Sequence, residues 1–274
     1  IEQNSEYPRI NRIRFLAEEK IYLRNNSPTS IINWFERYPP LGGMGKIKLA
    51  EAYLEKGQTE KVQELIKEGW ETATISKNDL GYYRAKFKKF IDSEDHIRRA
   101  DYLAWEKKYW DLKRMLKYLP KDQRALYNAR QILMSNSYGV DNAISKVPEY
   151  LKKDPGLEFD RLRWRNRRGR LEGSLEILYR NSIKTEQQMV RPDKWWEQRE
   201  SVVRSLIYKK RYKTAYKISS EHALSAGPSF AEAEWLSGWI ALTFLNSPEY
   251  AINHFQNFYN NVGYPISLAR GAYW

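Results

Sequence analysis

The sequence predicts an all-α fold, an α-solenoid or superhelix of stacked helical hairpins of the tetratricopeptide-like kind. Three observations predict it. Apolar residues recur at three- and four-residue steps along most of the chain. Strand signals are scarce: with 14 Gly and 11 Pro in 274 residues, alternating β-branched runs bounded by turn pairs are hard to find. Turn signals return at intervals of roughly 30 to 50 residues, the range of stacked helical repeats.

Taken in order, the first hairpin runs from Ile10 to Leu23 and passes Asn25-Asn26. It restarts at Ser27-Pro28, an N-cap followed by a proline whose fixed φ suits a first helical position, and continues through Ile31, Ile32, Trp34 and Phe35. Gly42-Gly43-Met44-Gly45-Lys46 lacks the spacing of a phosphate-binding loop and follows Pro39-Pro40 rather than a strand, so it reads as a turn before a helix. Lys46 to Glu55 then turns at Lys56-Gly57-Gln58 into Glu60 to Trp70, with Val62, Leu65 and Ile66 inward. Ala100 to Trp105 turns at Lys107-Lys108 into Trp110 to Leu119, and Val202 to Tyr208 turns at Lys209-Lys210 into Tyr212 to Ile218. The segments Leu80 to Ile91 and Asp154-Pro155-Gly156 break the rhythm. Between Ala231 and Leu245 the run AEAEWLSGWIALTFL places Leu236, Trp239, Ile240 and Thr243 on one face, while Trp235, Leu242 and Leu245 cover much of the rest. Such a helix needs neighbours on two sides. Ser247 as N-cap and Pro248 then start a partner helix with Ala251, Ile252, Phe255, Phe258 and Tyr259 as its apolar positions.

We read residues 1–274 as a single U-shaped helical-repeat domain. The apolar helix beginning at Pro265 ends on Tyr273 and Trp274, where a solenoid terminus calls for a polar capping face, so further natural sequence is expected beyond it. Lys and Arg total 47 against 34 Asp and Glu, a formal balance of +13. The absence of Cys excludes disulfides, thiolate metal sites and a cysteine nucleophile but leaves the compartment open. The longest apolar run, Trp239 to Leu245, falls far short of the roughly 20 residues that span a bilayer, so the chain reads as soluble with no membrane span. The N-terminus has no signal-peptide pattern.

Residues Ala231 to Leu245, with their AEAEW, G-W-I-A-L and F-L elements, resemble the superhelical region of bacterial soluble lytic murein transglycosylases. Trp195-Trp196, Arg199, Ala215 to Ser219, His222, His254-Phe255 and Pro265 to Arg270 extend the likeness. Trp34 to Pro40, Arg99 to Leu103, Leu119-Pro120, Val147-Pro148 and Asp154 to Leu157 agree more loosely. The turns at Lys107-Lys108 and Lys209-Lys210 depart from it, because such hairpins often carry Gly there. The resemblance implies the non-catalytic scaffold region of a periplasmic enzyme that cleaves peptidoglycan with formation of 1,6-anhydromuramyl ends. The chemistry of that family belongs to a separate C-terminal lysozyme-like domain, which this chain lacks, so the chain alone is not expected to be the enzyme. The implied partners are the peptidoglycan glycan strand and the missing catalytic domain, and no cofactor is implied.

A Glu-Ser pair marks the catalytic acid in that domain, but nothing after Glu200-Ser201 matches its glycan-groove segments; Val202, Val203, Leu206 and Ile207 continue an ordinary amphipathic helix. No catalytic residue is therefore assigned. His96, His222 and His254 stand in no paired helical spacing and are read as structural, with no metal site. The basic stretch is more suggestive. Arg161, Arg163, Arg165, Arg167, Arg168 and Arg170 cluster around Trp164, and guanidinium groups suit carboxylate or phosphate. They divide between two helical faces, so solvated ion pairing is the competing reading. Trp235 and Trp239 are expected to pack in the core, whereas Trp195-Trp196 cannot share one face, so one ring is expected to be accessible for sugar contact. The candidate substrate-binding residues are Arg163, Trp164, Arg167, Arg168, Trp195 and Trp196. The alternatives are a protein-binding adaptor of the tetratricopeptide type and a nucleic-acid binder. Charge and aromatics support the latter, but no recognition motif does, and the basic residues are spread over every segment.

Overall fold

The computed structural model describes residues 6–135, 138–182 and 189–274. These residues form sixteen α-helices and no strand. The chain divides into two compact units, Ile1–Pro148 and Glu149–Trp274, where the sequence pattern reads as one continuous repeat domain. Both units are built from the same hairpin.

The first unit comprises α1 (Ile10–Glu18), α2 (Pro28–Arg37), α3 (Gly43–Glu55), α4 (Val62–Thr72), α5 (Lys77–Lys86), α6 (Ser93–Trp105), α7 (Tyr109–Met115), α8 (Lys121–Leu133) and α9 (Val140–Ser145). Helix α3 lies against α2 and α4, α4 against α6, and α6 against α7 and α8. Each helix thus meets its chain neighbour, and alternate helices stack. Ile47, Val62, Ile66, Trp70, Phe87, Ala100 and Leu112 are fully enclosed between them. The second unit comprises α10 (Pro155–Arg167), α11 (Leu171–Asn181), α12 (Pro192–Tyr208), α13 (Tyr212–Ser220), α14 (Gly227–Leu245), α15 (Pro248–Asn260) and α16 (Pro265–Tyr273). Here α12 touches α10, α11, α13 and α14, and α14 touches α12, α13 and α15. The expected two-sided cover of the Ala231 to Leu245 helix is present.

Two local devices explain the hairpins. At four turns the residue after the helix adopts left-handed backbone: Gly57 (φ 73°), Lys107 (φ 59°), Gly169 (φ 64°) and Lys210 (φ 58°). At each, the next amide bonds back five residues: Gln58 to Tyr53, Lys108 to Leu103, Arg170 to Arg165 and Arg211 to Leu206, at 2.9 to 3.0 Å. This is the Schellman closure, which satisfies carbonyls that a helix end leaves open. Lys107 and Lys210 therefore hold the same geometry that Gly holds elsewhere, and the missing glycine changes strain rather than turn type. The second device is the cap. Ser27 Oγ accepts the Ser30 amide at 3.1 Å, as the Ser27-Pro28 signal predicts, and Asp154 accepts the Leu157 amide at 2.8 Å. The apparent break at Asp154-Pro155-Gly156 is thus the start of α10, and the one at Leu80 to Ile91 holds the extra helix α5. Ser247 stands at the N-cap of α15, but its hydroxyl donates back to the Leu245 carbonyl at 3.3 Å.

The Gly42 to Lys46 stretch is a close-packing site. The Glu18 carboxylate accepts the Leu41 amide at 2.7 Å and the Gly42 amide at 3.0 Å, at the mouth of α3. A Cβ on Gly45 would run into that carboxylate, and one on Gly43 would lie 2.5 Å from the Ala73 backbone nitrogen. Buried arginines close other helix ends: Arg99 donates to the Trp70 carbonyl in the last turn of α4, and Arg199 donates to the Ile218 carbonyl at 3.1 Å in the last turn of α13. A cation at a helix C-terminus is favourably placed against the macrodipole.

Candidate functional site

Of the sequence-nominated residues, Arg163, Trp164, Arg167 and Arg168 lie on α10 or at its end, and Trp195 and Trp196 on α12. Arg163 is 5% exposed and reaches the buried Asp160 carboxylate at 3.1 Å. Trp164 is half-buried and carries the guanidinium groups of Arg168 at 5.3 Å and Arg170 at 4.7 Å from its ring centroid. Arg167 and Arg168 are exposed. The cluster therefore splits between an interior ion pair and an outer Trp–Arg patch, and not along the two faces that the spacing sets out: Arg163 is buried while Arg167 is exposed, and Arg168 and Arg170 share the Trp164 ring.

The expectation that one of Trp195 and Trp196 is accessible is corrected: they are 1% and 2% exposed. Trp195 meets Phe159 of α10 edge-on with centroids 5.5 Å apart. The Trp196 Nε1–H donates to Glu232 Oε2 at 3.1 Å, and its ring sits edge-on to His222. Because α12 is flanked by α10 on one hand and α14 on another, both sides of the helix are covered, and adjacent residues need not differ in exposure.

The histidines that the sequence leaves scattered are brought together by Glu234. One carboxylate oxygen accepts from His222 Nε2 at 2.9 Å; the other accepts from His254 Nδ1 at 2.8 Å and from Asn257 Nδ2 at 3.1 Å. His222 Nδ1 accepts the Leu224 amide at 3.0 Å, which fixes its proton on Nε2. His254 Nε2 lies 3.1 Å from the Tyr216 hydroxyl, which donates to it. Every polar atom of both rings is thereby partnered, as burial requires. Burial of Glu234 pushes its pKa up, but the hydrogen bonds from the histidines and Asn257 outweigh this and hold the carboxylate at about 2. The chain Tyr216–His254–Glu234 has the outline of a nucleophile, a base and an orienting carboxylate. Burial together with the charges of Tyr250 and Glu234 raises the Tyr216 hydroxyl, however, so it stays a donor rather than a nucleophile. The network ties α13, the connection after it, α14 and α15 together; it is a lock. His96 stands apart, accepting the Trp70 Nε1–H at 3.1 Å. Among the described residues no group of three His, Cys, Asp or Glu is placed to hold a metal ion, and no helix is long and apolar enough to cross a membrane.

Beside this lock lies a cleft of about 540 Å³ between the first half of α14, the α15–α16 turn and the side of α12. Arg204, Glu232, Trp235, Tyr264, Ser267 and Arg270 contribute its chemistry. The Arg270 guanidinium lies 3.6 Å from the Trp235 ring centroid, and Trp235 is in turn stacked on Trp239 with planes 8° apart. Arg204 is held by Glu200 four residues earlier, with Nε 2.7 Å from the carboxylate. That contact accounts for Glu200, a half-buried carboxylate paired along the helix surface with an exposed arginine.

No family model, curated protein or solved structure matches this chain.

Sequence reasoning did not nominate Arg204, Glu232 or Arg270, and it placed Trp235 in the core only. The residues sit on three helices far apart in sequence, and no local period links them. The one available signal was the i, i+4 pair Trp235 and Trp239 beside a helix that carries a single Arg.

Proposed function

We propose that the chain is the non-catalytic superhelical scaffold of a periplasmic peptidoglycan lytic transglycosylase, enclosing or orienting the glycan strand for a separate catalytic domain. One observation carries the reading. Of the resembling series, His222, Glu234 and His254 meet in one buried network, and the Trp196 ring packs edge-on against His222 beside it. A chance likeness gives no reason for these dispersed positions to converge. The all-helical hairpin architecture and the formal balance of +13 support the same reading, because a positive field draws a polyanion inward at low ionic strength.

Purified sacculi provide the test. The protein is expected to co-sediment with them at low ionic strength and to be released by about 0.5 M salt, where the screening length falls to a few ångströms. No retention at low salt, or retention that salt does not change, contradicts electrostatic capture.

A protein-binding adaptor is the second reading. It is favoured by an apolar groove of about 660 Å³ along α15 and α16, lined by Ile252, Phe255, Tyr259 and Trp274. Specific capture of a protein partner with no retention on sacculi would select it.

A further inference from the structure

The cleft beside α14 has a composition that the scaffold reading does not require. Two guanidinium groups, Arg204 from α12 and Arg270 from α16, stand at its walls. The Arg270 guanidinium sits over the Trp235 ring, 3.6 Å from its centroid, a contact that holds the fork in place and reduces the rotamer freedom lost when it binds a planar partner. Arg204 is steadied by Glu200. Glu232 lines the same cleft, near enough to Arg270 to interact with its charge, and presents a carboxylate already oriented by the Trp196 Nε1–H at 3.1 Å. The Ser267 and Tyr264 hydroxyls open on the same space, and Leu236, Phe258 and Val262 give it an apolar floor.

These groups ask for different things. The arginines want a carboxylate or another planar anion. Glu232 repels an anion placed next to it but accepts hydroxyl protons. An apolar floor suits the C–H face of a ring. An inorganic anion satisfies only the first demand, and a neutral sugar only the second and third. We propose that this cleft binds a sugar acid: the carboxylate is held by Arg204 and Arg270, ring hydroxyls donate to Glu232, and the ring lies on Leu236, Phe258 and Val262. The volume, about 540 Å³, lies within the 300–1,000 Å³ range of small-ligand sites and leaves room for one or two sugar rings. Trp235 acts as a positioning residue, because its ring carries Arg270 rather than lying free for the ligand. The choice of a muramyl sugar as probe rests on the scaffold reading; the sugar-acid class rests on the cleft.

The test uses three probes on the full chain, each followed by the indole signals of the protein in two-dimensional NMR. N-acetylmuramic acid carries ring and carboxylate, N-acetylglucosamine the ring alone, and D-lactate the carboxylate alone. N-acetylmuramic acid is expected to saturate and to bind about tenfold or more tightly than either of the others. Arg204→Gln and Arg270→Gln, both on exposed side chains, are expected to remove that advantage while leaving the thermal transition in place, and Arg270→Lys to restore it only in part. The proposal is overturned if N-acetylmuramic acid and N-acetylglucosamine bind equally, if neither saturates, or if sulfate shifts the same signals at the same concentration and competes one for one. The two readings fail separately. A protein retained on sacculi that shows no sugar-acid saturation refutes the cleft and keeps the scaffold; saturation without sacculus retention does the reverse.

Discussion

Replacing Glu234 with Gln removes a charge without removing volume, and the geometry dictates the outcome. Glu234 accepts three hydrogen bonds and donates none. A Gln amide offers one accepting oxygen and one donating nitrogen: with the nitrogen toward His222 two donors are opposed, and with it toward His254 the imidazole must move its proton to Nε2, Tyr216 must turn from donor to acceptor and the Asn257 amide must flip. His222 cannot adapt by changing tautomer, because its Nδ1 already accepts the Leu224 amide. Replacing three charge-assisted hydrogen bonds with neutral ones, and either opposing two buried donors or rearranging the His254 side, gives a destabilisation of ~2–4 kcal/mol. The pH dependence provides an internal control. The Glu234 pKa is depressed from 4.5 to about 2, so its stabilising contribution is fully present above pH 4.5 and is lost as pH falls toward 2. The displacement corresponds to about 3 kcal/mol at ~1.4 kcal/mol per pH unit, reduced to ~2 kcal/mol by solvent at the edge of the site. Urea unfolding followed by far-ultraviolet circular dichroism at pH 7, 4.5 and 2.5 is the assay. The gap between wild type and Glu234→Gln is expected to be large at the first two pH values and to shrink at the third. An unchanged midpoint at pH 7, or a gap that stays constant down to pH 2.5, refutes the lock.

The turns offer a test of opposite sign. Lys107→Gly and Lys210→Gly relieve left-handed strain at φ 59° and φ 58° and are each expected to stabilise by ~0.5–1 kcal/mol in urea unfolding. Gly57→Ala and Gly169→Ala, where an added Cβ meets no neighbour within 4 Å, are expected to cost about 1 kcal/mol each through backbone strain alone. Gly43→Ala drives a Cβ into the Ala73 backbone nitrogen, and an unfolding free energy lowered by ~2 kcal/mol or more is expected in urea. Trp196→Phe keeps the buried ring but leaves Glu232 without its indole donor; it is expected to cost ~1–2 kcal/mol and to weaken the sugar-acid advantage in the cleft.

What the sequence made legible was local. Ser27-Pro28 announces α2 because capping and fixed φ act within one turn, and the density of apolar residues from Ala231 to Leu245 announces a helix covered on two sides. Boundaries were less legible: α1 stops at Glu18 rather than Leu23, since nothing in its own period marks where tertiary contact ends. On α15, Ala251, Phe255 and Phe258 are buried as their spacing implies, while Ile252 at 64% and Tyr259 at 43% exposure face outward, because α14 and α16 pack most closely on that helix and leave this side of it uncovered. The Trp195-Trp196 reading failed for the converse reason, α12 being enclosed from several sides. The Glu234 network and the Arg204–Arg270 cleft were illegible, since each joins residues from helices whose proximity is set by stacking and not by any spacing along the chain.

The central claim is that this stack of hairpins holds peptidoglycan and does no bond-breaking itself, and it is tested most directly by incubating the purified chain with sacculi and analysing both fractions by mass spectrometry. The account predicts protein in the low-salt pellet and a supernatant free of 1,6-anhydromuropeptides. Anhydro products released by the chain alone, or protein left wholly in the supernatant, would contradict it.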